Sequence, residues 1–190
     1  MERSIEERLA ELTSRINDDS FLCRRGLGNE VSVWIFDYDP VEEMAVRQFV
    51  DCAVQKSCIP GSLRRIARFD LYDVASSILE ERGLTGRLSE TEDRRGPDFL
   101  LEAIKSVVTP EAYIGAMNAA MKDERIVFIT GVGRVWPWVR SHTILSNITG
   151  RLDKLPVILF FPGTFTGTGM KLFNAFEGEN YYRAFRIVPN

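Results

Sequence analysis

The chain has 190 residues, enough to bury one substantial core, and no break in composition asks for a second domain, so residues 1–190 read as a single domain. Hydrophobic residues at 45% and charged residues at 27% exclude extensive disorder, and a net charge of -3 gives no overall attraction to nucleic acid or to a membrane surface. Three cysteines without a CxxC pair point away from a disulfide framework or zinc knuckle, and a single histidine, His142, excludes a histidine-rich metal site. No metal and no cofactor are expected. With no apolar signal core and no run of membrane-spanning length, the expected location is the cytoplasm.

In chain order, Ile5, Leu9, Leu12 and Ile16 recur at helical spacing, which predicts an N-terminal amphipathic helix within residues 1–18. Gly26 and Gly28 mark a loop before a first apolar strand, Val31 to Phe36. The strand ends in Asp37-Tyr38-Asp39-Pro40, where Asp39 suits a helix cap and Pro40 a first helical turn. Val41, Met44, Ala45, Phe49, Cys52 and Ala53 are expected on that helix's inner face, with a stop near Cys58, ahead of Pro60-Gly61. Ile66 to Phe69 read as a second strand ending at Asp70, and Leu71, Val74, Ala75, Ile78 and Leu79 as an amphipathic helix up to Gly83.

Residues 85–97 are polar and read as a mobile surface connection. Two helices follow, the second opened by Thr109-Pro110-Glu111 and carrying Tyr113, Met117 and Met121. Ile126 to Ile129 form a strand buried on both faces, ending in the turn Thr130-Gly131-Val132-Gly133. Beyond it the pattern predicts a helix over Val139 to Ile148, a strand over Pro156 to Phe161, an irregular stretch over 163–169, a short helix through Leu172 and Phe176, and a last strand over Tyr181 to Val188. Such alternation implies right-handed crossovers and a three-layer α/β sandwich with a mostly parallel sheet of about five strands. The layout is Rossmann-like or P-loop-like, without a Walker A motif, since Gly167 to Lys171 is only a partial echo of one.

Several residues could carry chemistry. Asp37 and Asp39 match the DxDx[TV] nucleophile signature of haloacid-dehalogenase-type phosphatases, with Thr130 in that class's second motif. Against it, the strand ending in Phe160-Phe161-Pro162-Gly163 supplies no acidic pair for magnesium, and the alternative puts Asp39 at a helix cap and Asp37 in a turn. Gly131 and Gly133 invite a dinucleotide loop, but Trp136 stands where the third glycine belongs. Arg134, Trp136, Trp138, Arg140 and His142 form either a partner or nucleic-acid contact, or packed tryptophans with paired arginines. Tyr182 and Arg183, in an aromatic terminal strand, suit a partner-binding edge or structural packing.

The stretches FITGVGRVWPWVRSH (128–142), PVILFFPG (156–163), LFNAF (172–176) and NYYRAFRI (180–187), with FDYDP near residue 37, together resemble the BrxB family of bacteriophage exclusion (BREX) systems. The resemblance spans most of the chain. It implies a cytoplasmic bacterial protein of anti-phage defence, encoded with a methyltransferase, a large ATPase and the alkaline-phosphatase-like PglZ. It supplies no catalytic residues. Three readings follow: an adaptor that binds other BREX components, PglZ first; a nucleotide or phosphoester enzyme with a crevice at Asp37, Asp70 and Thr130; or a DNA-binding subunit using Arg134, Arg140 and the tryptophans.

Overall fold

The computed structural model describes residues 3–22, 33–57, 65–178 and 184–190. Helix α1 (Ile5–Ile16) starts at a capping box, in which the Ser4 side chain accepts from the Glu7 N–H and the Glu7 side chain accepts from the Ser4 N–H. Its stripe of Ile5, Leu9, Leu12 and Ile16 is buried, as the spacing predicts. After α2 (Asp19–Leu22) come strand β1 (Val33–Tyr38), a 3-10 turn at Pro40–Glu42, α3 (Glu43–Ser57), β2 (Ile66–Asp70) and α4 (Leu71–Glu81). Asp39 and Asp70 each cap the helical turn that follows them, so the strand ends are set by carboxylates. The glycine loop at Gly26 and Gly28 and the stop near Cys58 lie outside the described residues.

Two readings of this half differ from what is observed. Val41, Met44 and Cys52 face solvent, because the 3-10 turn over residues 40–42 breaks the helical phase and α3 buries Val46 and Val50 in their place. Residues 85–97 lie on the surface but are largely helical, with a 3-10 turn at Thr85–Arg87 and helix α5 (Leu88–Arg95), whose polar residues bury nothing.

Helices α6 (Pro97–Val107) and α7 (Pro110–Ala120) lead into β3 (Ile126–Thr130), then α8 (Val132–Val135), α9 (Ser141–Ser146), β4 (Val157–Phe165), β5 (Met170–Leu172), β6 (Phe176–Glu177) and β7 (Ala184–Arg186). The expected helix over 139–148 is thus reduced to α9. Strand β4 runs on through Pro162-Gly163 to Phe165 and turns back antiparallel into β5 and β6, where a short helix was expected. Met170 and Leu172 are buried with Lys171 exposed between them, the alternation of a strand and not of a helix. Pro162 lies beyond the end of the β3–β4 pairing at Leu159 and gives the sheet only its carbonyl, which accepts from the Phe173 N–H at 2.8 Å.

The strand order is β2-β3-β4-β1-β7, with every pairing among these five parallel. One face carries α1 and α3 over Phe36, Phe128, Ile158 and Phe160. The other carries α4, α6, α7 and α9 over Val33, Ile35, Val127, Ile129 and Leu159. This is the three-layer α/β sandwich, with strands apolar on both sides, that the sequence pattern implies.

Candidate functional site

All five parallel strands point their carboxyl ends to one side, and the charged and aromatic residues collect there. At the end of β1, Asp37 is 1% exposed. Arg186 of β7 donates to it from Nε at 3.0 Å and from Nη2 at 2.8 Å, and the Phe165 N–H donates to Asp37 Oδ2 at 2.9 Å. Arg8 of α1 donates to the Asp37 carbonyl at 2.7 Å and to Oδ1 at 3.5 Å. Burial holds the Arg8 guanidinium below the ordinary arginine value, with Asp37 pulling it back up and Arg186 pressing it down. One carboxylate therefore ties together the N-terminal helix, the final strand and the β4–β5 hairpin. Asp39, two residues on, is exposed and spends an oxygen on the Val41 N–H at 3.0 Å.

Thr130 lies elsewhere. Its hydroxyl donates to Asp70 at 3.4 Å, and its side chain follows Ile126 and Phe128 on the α1/α3 face of β3, whereas Asp37 follows Val33 and Ile35 on the opposite face. Asp37, Asp70 and Thr130 do not share one crevice. Asp70 and Thr130 instead open a cleft of about 170 Å³ with Tyr38, Glu43, Arg47 and Arg134. Its charges are matched internally: Arg134 pairs with Asp70 at 3.1 Å and Asp73 at 3.7 Å, Arg47 with Glu43 at 2.6 Å, and Arg68 with Asp51. Tyr38 donates to Glu43 at 2.7 Å, and burial first, then this bond, pushes its phenol well above the ordinary tyrosine value.

Gly131 makes the close approach at this cleft possible. Its φ is +77°, and a Cβ there would stand 2.4 Å from Asp70 Oδ1. Gly133 serves packing: a Cβ would meet the ring of Phe173 at 2.3 Å. Both glycines thus seat side chains of this chain.

The arginine and tryptophan cluster divides into two. Trp138 stacks on Tyr72 at 5.7 Å, and the Arg134 guanidinium lies 4.4 Å from the same ring. Trp136 packs against Phe176 at 4.4 Å and shares a shallow pocket of about 30 Å³ with Arg140 and His142. Both tryptophans are half-buried against the core, while Tyr72, Phe173 and Phe176 are exposed. Tyr182 and Arg183 lie outside the described residues. Sequence reasoning misses Arg8, Tyr72 and Phe173 as site residues, since each acquires its role from a partner distant in the chain; Arg186, which belongs to the terminal strand read as a partner-binding edge, is instead spent on Asp37.

Among the described residues no group of three or more His, Cys, Asp or Glu is placed to hold a metal ion, and no helix is long and apolar enough to cross a membrane. Fold and site together define an α/β sandwich whose strand ends are closed by its own ion pairs and rimmed by aromatic side chains. The family model for BREX protein BrxB matches residues 67–187. The chain is 40% identical over 190 residues to BREX protein BrxB of Bacillus cereus (strain H3081.97), covering 98% of each, and 31% identical over 188 residues to BREX protein BrxB of Escherichia coli O9:H4 (strain HS), covering 98% of this chain and 92% of the relative. It belongs to the BrxB family of BREX proteins. No solved structure matches it.

Proposed function

We propose that this chain is a cytoplasmic adaptor of a BREX anti-phage system, holding other components together without turning over a substrate. The observation that carries this reading is the state of Asp37. In a nucleotide-binding α/β protein the turn after the first strand cradles phosphate, and in a phosphatase of the DxD type its first aspartate attacks phosphorus. Here that aspartate is buried under two arginines and a backbone N–H. A group so committed is poorly placed to act as a nucleophile. The exposed aromatics at the same end of the sheet, Tyr72 beside Trp138 and Phe176 beside Trp136, have the composition of interaction hot spots.

Partners are sought first among the other BREX components, with the PglZ-like protein the leading choice. The test is to recover the tagged chain from cells that carry its BREX neighbours and to identify what accompanies it. A stoichiometric component that is lost on Trp138→Ala or Tyr72→Ala, with the fold intact by circular dichroism, supports the adaptor. Recovery of the chain alone, or magnesium-dependent phosphoester turnover abolished by Asp37→Asn, refutes it.

A further inference from the structure

Val41 and Met44 are 83% and 72% exposed and lie three residues apart where β1 passes into α3, so they make an aliphatic ridge with no cover among the described residues. Beside it opens a groove of about 540 Å³ between the start of α1, the end of β1 and the β4–β5 hairpin, lined by Glu6, Asp39, Val41, Glu42 and Thr164 among others. The cations that line it are spent within the protein. Arg3 is held on Glu11 at 2.6 Å, and Arg8 on Asp37 and the Pro189 carbonyl. Asp37 is shared by Arg8 and Arg186, so that cluster keeps one positive charge against the three carboxylates that follow. Glu6, Asp39 and Glu42 pair with no cation among the described residues, which leaves the groove negative beside an apolar ridge.

The complement of such a surface is cationic and partly apolar. Phosphate backbones are repelled by the uncompensated carboxylates, whereas an extended chain alternates its side chains and can set cations and aliphatic groups on different walls. We infer that this groove takes an extended basic segment of a partner protein, with lysine or arginine side chains on Glu6, Asp39 and Glu42 and aliphatic side chains over Val41 and Met44. The inference rests on the adaptor reading and adds the chemistry of the partner.

The test replaces Val41 by photoreactive p-benzoylphenylalanine in the full chain, in cells carrying the BREX neighbours, and maps the adduct formed on irradiation. The expected adduct falls on a lysine- or arginine-bearing segment of a co-purifying component, and its yield drops about fivefold in a Glu6→Gln, Glu42→Gln background. An adduct on an acidic segment or on nucleic acid overturns the inference, as does an unchanged yield in that background. If a component co-purifies but forms no adduct, the groove assignment fails and the adaptor reading survives. If nothing co-purifies, both fail.

Discussion

Arg186 grips both carboxylate oxygens of Asp37 across 149 positions of sequence, with donor distances of 3.0 and 2.8 Å. The pair is bidentate, the geometry in which a guanidinium and a carboxylate bind most strongly. Its carboxylate is buried, so removing it leaves Arg8 and Arg186 without their anion at the sheet's edge. Asp37→Ala is expected to cost about 3–5 kcal/mol in urea unfolding. Arg186→Met costs less, because Arg186 is partly exposed and Arg8 remains beside Asp37. Equal small losses for both would show that the pair is not what anchors the C-terminal strand.

Gly163 tests the hairpin that extends β4. Its φ is +150°, and a Cβ would lie 2.1 Å from the Lys171 carbonyl oxygen, a backbone atom that cannot step aside. Gly163→Ala should lower stability by at least about 2 kcal/mol. Gly86→Ala, where nothing lies within 4 Å, should change it by no more than about 0.5 kcal/mol. Chemical denaturation of the two variants side by side checks this, and similar values would contradict the hairpin as described.

Two buried tyrosines set an alkaline limit. Burial pushes the Tyr113 phenol up, and burial with the Glu43 bond pushes up that of Tyr38. A raised folded-state value means that the native protein keeps its proton where the unfolded chain has lost it. This contribution is complete below the unfolded tyrosine value of about 10 and is lost as pH rises above it. Tyr38→Phe, Tyr113→Phe should therefore lose less stability between pH 9 and pH 11 (about one unit on either side of that value) than the parent does. At neutral pH Tyr113→Phe alone is expected to gain about 1 kcal/mol, since Tyr113 Oη is buried with no hydrogen-bond partner. Identical pH slopes would contradict the assignment.

Much of the fold can be read from short-range pattern. The stripe of Ile5, Leu9, Leu12 and Ile16, the run Ile126 to Ile129 and the caps at Asp39 and Thr109 are all local signals, and each appears in the structure as read. Long-range partners leave no such signal. Nothing near Asp37 announces Arg186, and nothing near Tyr72 announces Trp138, which joins it only because β2 and β3 are neighbours in the sheet. Pro162-Gly163 reads as a strand stop from sequence, yet the strand continues past the last β3 pairing because the returning segment around Met170 to Phe173 takes up its backbone. Val41 departs from the expected inner face for a local reason, a single 3-10 turn that shifts the helix phase.

The most direct measurement is sedimentation velocity of the purified chain mixed in turn with each purified BREX component. The account predicts a faster co-sedimenting boundary with at least one of them, weakened about thirtyfold in apparent affinity by Tyr72→Ala, Trp138→Ala with the isolated variant still folded. Free sedimentation of the chain in the presence of every component would contradict it.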